Sequence, residues 1–204
     1  MQSLLQALST TSVLPMVTVP WKDPQAIALA LDLGAYGLFL PTIETREDAE
    51  MVVSAMRYPP AGTRALGGAR RHLYAGTDYV QSVNDELLVV AMIQTVRGVR
   101  NADEILAVPG IDACLVEPSD LCASLGLRPS LEPADERVAD AIKQVFDACL
   151  RHNVAPGIHT QSVEHTRYRL SQGWRLIALS SDGSLMARAA RHALELTRPL
   201  DGCR

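Results

Sequence analysis

Six short apolar runs punctuate the chain: Leu14–Val19, Tyr36–Leu40, Leu87–Ile93, Ala113–Val116, Ala155–His159 and Leu176–Leu179. They are apolar on both faces rather than alternating, the pattern of strands covered on both sides in a parallel sheet. Helix-like stretches separate them. Pro24–Leu33 opens with Asp23 as N-cap and Pro24 at the first helical position, and it stops near Gly34. Thr45–Met56 begins with Thr45-x-x-Asp48, close to a capping box. Asn101–Ala107 is short and is closed by Pro109-Gly110. Ala134–His152 is long, with apolar residues at Val138, Ile142, Val145, Phe146 and Cys149. Val163–Gln172, Ser184–Leu196 and an N-terminal piece, Met1–Leu8, complete the set. Strand then helix, repeated, predicts a parallel α/β sheet, with residues 1–204 forming one domain.

Two intervals between strands are longer than a minimal β/α unit. Pro41–Asp85 carries Tyr58-Pro59-Pro60-Ala61-Gly62 and Gly67-Gly68, so it predicts an excursion; Glu117–Val154 carries Pro129 and Pro133. No GxGxxG follows the first strand and no GxxxxGK[ST] loop is present, so neither phosphate-binding motif is available. Polar clusters instead close almost every run: Thr18-Val19-Pro20, Pro41-Thr42, Gln94-Thr95, Glu117-Pro118-Ser119-Asp120, His159-Thr160 and Ser180-Ser181-Asp182. A strand end that reaches solvent becomes polar for that reason alone. Recurrence after six strands is what points to a (β/α) barrel, whose sites sit at the carboxyl ends of its strands.

Composition narrows the partners. Hydrophobic residues make up 48% of 204, enough for a sizeable core. The net charge of −4 (19 Lys+Arg against 23 Asp+Glu) argues against nucleic acid, which selects a basic face. Cys114, Cys122, Cys149 and Cys203 are scattered without a CxxC pair, which argues against a disulfide framework or zinc knuckle and predicts a reducing, cytoplasmic setting. No apolar run approaches the roughly 20 residues of a membrane span. The first eight residues lack a basic region before an apolar one, so no signal peptide is expected.

An ordered series of segments resembles the HpcH/HpaI aldolase/citrate lyase family. It comprises Val19-Pro20-Trp21-Lys22-Asp23-Pro24, Leu31-Asp32-Leu33-Gly34-Ala35-Tyr36-Gly37, Arg57-Tyr58-Pro59-Pro60-Ala61-Gly62-Thr63-Arg64, Val108-Pro109-Gly110-Ile111-Asp112-Ala113, Pro118-Ser119-Asp120-Leu121, Ala155-Pro156-Gly157-Ile158 and Ser181-Asp182. The match spans about residues 4 to 197. The resemblance implies a TIM barrel of the phosphoenolpyruvate/pyruvate type, usually oligomeric. It also implies aldol cleavage or addition on a small 2-oxo acid such as pyruvate, with a divalent metal (Mg2+ or Mn2+). A typical member has two further β/α units upstream, the second supplying the catalytic base; this chain begins after them, so the barrel is expected to be incomplete, with about six strands.

Site residues carry over one at a time. Thr18 stands where the family has the arginine that grips the enolate. Gln94 stands where a glutamate is the first metal ligand, and Asp120 retains the second. Glu117 replaces a glycine beside the substrate carboxylate, with Pro118 and Ser119 next to it. Asp32 matches an aspartate that assists the catalytic histidine across a subunit boundary. The changes at Thr18 and Gln94 each remove a charge the enolate chemistry uses, at an expected cost of about 2–4 kcal/mol per lost contact. Glu117 turned inward would restore a two-carboxylate site with Asp120; paired with a basic side chain it would not. His159, at a strand end, is a candidate base. Arg70, Arg71 and His72 form a small basic cluster that would attract an anion. Six strands leave two raw edges, which predicts cover by Met1–Leu8 or by another subunit. Two functional classes follow: an aldolase-like carbon–carbon lyase with an altered site, or an inactive relative acting as a small-acid-binding, regulatory or scaffold subunit.

Overall fold

The computed structural model describes residues 1–67 and 78–197. Six strands form one sheet in the order β1 (Met16–Thr18), β2 (Gly37–Leu40), β3 (Leu88–Ile93), β4 (Ala113–Val116), β5 (Ala155–Thr160) and β6 (Leu176–Leu179). Every neighbouring pair is parallel. The sheet curls into a half-barrel, an incomplete TIM-type architecture. The helices are α1 (Gln2–Leu8), α2 (Pro24–Asp32), α3 (Arg46–Met56), α4 (Tyr79–Glu86), α5 (Val96–Arg100), α6 (Ala102–Leu106), α7 (Pro118–Ser124), α8 (Glu136–Arg151), α9 (Val163–Ser171) and α10 (Asp182–Thr197).

Local chemistry sets the helix starts. Asp23 accepts from Gln25 N at 3.1 Å ahead of Pro24, and Thr45 forms a full capping box with Asp48. Of the apolar positions foreseen in α8, Val138, Ile142, Val145 and Cys149 are buried, and Phe146 is partly buried with its ring 5.0 Å from that of Trp174. Three helices without a long apolar repeat, α4, α5 and α7, are absent from the pattern-based expectation. α5 and α7 have only 5 and 7 residues, too few turns for a 3.6-residue period to register.

Strand alternation sorts the two faces. Leu38, Leu40, Val89, Ala91, Ile93, Cys114, Val116 and Ile158 join the main core under the helices. Val90, Met92, Ala113 and Leu115 form a second cluster on the concave face, with Met16, Phe39, Ala155, Leu176 and Ala178 against it. The last concave-side position of each strand is therefore set by counting in twos. It is Thr18 on β1, Pro41 just beyond β2, Gln94 just beyond β3, Glu117 just beyond β4, His159 on β5 and Ser180 just beyond β6. The sheet ladder carries on past β4, where Glu117 N donates to Ile93 O at 3.3 Å, and past β6, where Ser180 N donates to Thr160 O at 2.8 Å.

Among the described residues both edges stay open. α1 buries only Leu5 and does not hydrogen-bond to the sheet; none of α10 is buried, and Met186, Leu194 and Leu196 on it are exposed. No helix among the described residues is long and apolar enough to cross a membrane.

Candidate active site at the carboxyl ends of the strands

Two pairs of polar side chains meet at the mouth of the half-barrel. In the first, Gln94 Nε2 donates to Asp120 Oδ2. Asp120 lies in the first turn of α7, which Pro118 opens directly after β4. On its other side, Gln94 Oε1 accepts from the Thr42 backbone N–H at 2.7 Å, with the Thr42 hydroxyl at 3.4 Å. Thr42 adopts φ 54°, a left-handed conformation that is rare for a β-branched residue. Its carbonyl accepts from Lys22 Nζ at 3.0 Å, and Lys22 is ion-paired with Asp48 at 2.6 Å. Burial raises the Asp48 pKa, but the Lys22 hydrogen bond, the Glu44 and Thr45 backbone N–H groups and the Lys22 charge together outweigh it and hold the carboxyl below its ordinary value. The strained peptide is thus gripped from both sides, and Gln94 is gripped with it.

In the second pair, His159 Nδ1 lies 2.9 Å from Glu117 Oε2. The side chains are 26% and 14% exposed. Glu117 raises the histidine pKa above its ordinary 6.5, first through the hydrogen bond, against burial, with its charge, the Ser180 carbonyl and the Asp120 charge adding to the same side. Glu117 therefore takes the course expected of a carboxylate that finds a basic partner, and it does not turn to Asp120. The pairing also offsets the repulsion an unpaired Glu117 would exert on an anionic substrate.

A cavity of about 270 Å³ opens beside His159, lined by Ser119, Ser130, Gln161, Ser180 and Ser181 among others. That is at or below the roughly 300–1,000 Å³ of drug-sized ligand pockets, a scale for small molecules. A larger cavity of about 610 Å³ lies between α1 and the start of β2, lined by Leu5, Leu8, Leu33 and Tyr36; none of the mouth residues reaches it.

The remaining sequence candidates are placed as follows. Pro118 is buried at the start of α7 and Ser119 lines the 270 Å³ cavity. Thr18 is exposed at the end of the edge strand β1, and no hydrogen bond among the described residues joins its side chain to the others. Asp32 is not brought to the mouth. α2 runs back from the carboxyl end of β1 to the amino end of β2, so its last residue lies at the far end of the sheet. There Asp32 accepts from Arg64 at 2.7 Å, and the fully buried Arg64 guanidinium sits 4.5 Å from the Tyr58 ring centroid. Arg70, Arg71 and His72 lie outside the described residues. Thr42 and Lys22 are the contributors that pattern reading missed as site residues; the polar cluster at Pro41-Thr42 was the available signal.

The groups at the mouth do not fit a divalent cation in this arrangement. A backbone N–H can only donate, so Thr42 fixes the Gln94 carbonyl oxygen toward itself and the –NH2 toward Asp120. A cation beside Asp120 would meet two N–H hydrogens instead of an oxygen. Glu117 is committed to His159, and no group of three or more His, Cys, Asp or Glu among the described residues is arranged to hold a metal.

The family model described as HpcH/HpaI aldolase/citrate lyase matches residues 1–189. The chain belongs to the HpcH/HpaI aldolase/citrate lyase family. It is 37% identical over 190 residues to a hydroxypyruvate/pyruvate aldolase of Deinococcus radiodurans, covering 92% of this chain and 68% of that protein. It is 35% identical over 180 residues to the 5-keto-4-deoxy-D-glucarate aldolase of Escherichia coli (strain K12), covering 87% and 70%. A crystal structure of a family protein from Burkholderia cenocepacia J2315 superposes with a TM-score of 0.89 at 35% identity, over 97% of this chain and 79% of that one. These likenesses support an aldolase-type lyase, and they agree with the fold expected from the strand and helix pattern.

Proposed function

We propose that this HpcH/HpaI family chain is an aldolase-type carbon–carbon lyase acting on a small 2-oxo acid of the pyruvate type, with an altered set of polar groups at the barrel mouth. The observation that carries the reading is convergence: Gln94, Asp120, Glu117 and His159, from three neighbouring strand ends, meet at the position where barrels of this kind do chemistry. The names of the relatives supply the substrate class.

Aldol cleavage of a 4-hydroxy-2-oxo acid removes the hydroxyl proton, breaks C3–C4 and leaves an enolate that must be stabilised until C3 is protonated. Mg2+ or Mn2+ is the stabiliser expected from the family, but the Gln94 orientation does not accommodate it beside Asp120, so no step is drawn through a metal. Thr18 offers a hydroxyl where a guanidinium would clamp the substrate. Both features support a second reading, a relative that binds a small acid without turning it over.

We also propose that a second copy covers the open edges. Among the described residues β1 and β6 each have one unpaired side, and α10 carries exposed Met186, Leu194 and Leu196.

The test of the lyase reading is cleavage of 4-hydroxy-2-oxo acids by the full chain, with and without Mn2+, followed by coupled detection of pyruvate. Turnover above a boiled control is the expected result. Thermal stabilisation by pyruvate without any turnover would favour the binding reading.

A further inference from the structure

We propose that Glu117 and His159 form the acid–base dyad of this site, His159 Nε2 taking and returning the proton and Glu117 positioning the ring; this rests on the lyase reading above. Neither residue was assigned such a role by the family resemblance, in which position 117 is a glycine.

The geometry points this way for three reasons. First, strand alternation puts both side chains on the concave face at the ends of adjacent strands β4 and β5, where Leu115 is paired with Gly157 two residues earlier. Second, an ionised carboxylate only accepts hydrogen bonds, so Glu117 Oε2, 2.9 Å from Nδ1, requires that nitrogen to carry its hydrogen. The lone pair of the neutral ring is then on Nε2. This is the arrangement by which a carboxylate fixes the tautomer of a catalytic histidine.

Third, Nε2 is itself shielded from solvent and has no partner in hydrogen-bond geometry among the described residues, although the Ser180 backbone lies near enough to favour the charged ring. Buried polar nitrogens are normally satisfied, so one left open at a site calls for a partner. Two other buried polar atoms share this state among the described residues, Arg64 Nε and His165 Nδ1. Arg64 belongs to the pairing with Asp32 at the far end of the sheet, and His165 Nδ1 faces Glu132 at 3.4 Å on α9. His159 Nε2 alone of the three is at the mouth, on a side chain that lines the 270 Å³ cavity with the hydroxyls of Ser119, Ser180 and Ser181. Asp120 is a poorer candidate for the same task, because one of its oxygens accepts from Gln94.

The step balances without a co-reactant. Neutral His159 accepts the C4 hydroxyl proton on Nε2. C4 becomes an aldehyde carbon as C3–C4 breaks, and that electron pair forms the C2–C3 enolate. The imidazolium, with Nδ1–H still on Glu117, then gives the proton to C3. One proton is taken and one returned, leaving a 2-oxo acid with a C3 methyl group.

The experiment measures two rates on the full chain: cleavage of a 4-hydroxy-2-oxo acid, and exchange of the pyruvate methyl protons in D2O by NMR. His159→Gln is expected to lose roughly 10²–10⁴-fold in kcat for cleavage and in exchange, with KM little changed. Glu117→Gln is expected to lose roughly tenfold or more in kcat. In the wild type a far-downfield Nδ1–H resonance is expected, and both variants should lose it. His152→Gln, far from the mouth just past the C-terminal end of α8, serves as the unchanged control.

Wild-type rates in His159→Gln overturn the dyad and leave the lyase reading standing. Should His159→Gln fail to fold, wild-type kcat in Glu117→Gln together with a missing downfield resonance in the parent overturns it equally. Absence of cleavage and exchange in the wild type overturns the lyase reading and the dyad with it.

Discussion

The middle of the sheet and its two edges meet different surroundings. β3 and β4 are buried almost throughout, and α8, lying behind β4 and β5, buries five residues. β1 and β6 are half-exposed along their length, and α10 buries nothing. The chemistry divides the same way. Gln94, Glu117 and His159 stand at the ends of β3–β5, held by packing on both faces of the sheet, whereas Thr18 stands at an open edge without a side-chain partner among the described residues. A site needs its groups fixed to a fraction of an ångström, and covered strands supply that stiffness. An edge supplies it once something covers it.

The largest expected effect tests the contrast in cover. Ile142→Ala, in the buried face of α8, should destabilise by about 2–5 kcal/mol, read from urea unfolding. Leu194→Ala on α10, at 64% exposure, should stay within about 0.5 kcal/mol in a dilute single chain. A larger, concentration-dependent loss at Leu194 would locate the cover of this edge in a second copy.

The Gln94 arrangement gives the next effect. Gln94→Glu restores a full charge and two oxygens beside Asp120, so Mn2+ affinity should rise roughly 10–100-fold, followed by electron paramagnetic resonance. Tight Mn2+ binding by the parent that is unchanged in Gln94→Glu would break the account of the locked amide. The smallest effect is on stability against pH. A histidine pKa raised by folding stabilises fully below the ordinary value of 6.5 and loses that contribution as pH rises through the raised value. The urea midpoint should therefore fall slightly more between pH 6 and pH 9 in the parent than in His159→Gln. Equal slopes would mean that the pair has no linkage to folding.

Much of this fold was legible because its signals are local. Ala113–Val116 and Leu176–Leu179 are strands at the bounds read from the apolar runs, and the Thr45–Asp48 box starts α3 as its spacing foretold. Boundaries slipped at Leu14–Val19, where the strand proper is Met16–Thr18, because an edge strand lacks a second neighbour to extend its ladder. The metal pair was legible only as residue types. Which way the Gln94 amide faces depends on a donor 52 residues away, Thr42, in a left-handed turn that no periodicity announces.

By itself the sequence determined the alternation of strand and helix, the number of strands and the set of polar residues left at their ends, since these follow from hydrophobic period and capping within a few residues of chain. Tertiary structure decided the partners. Glu117 meets His159 across 42 residues, Gln94 turns its –NH2 to Asp120 across 26, and Asp32 is carried to the far end of the sheet by the direction of α2. Strand register and helix direction fix those meetings, and both are set by packing between segments remote in sequence.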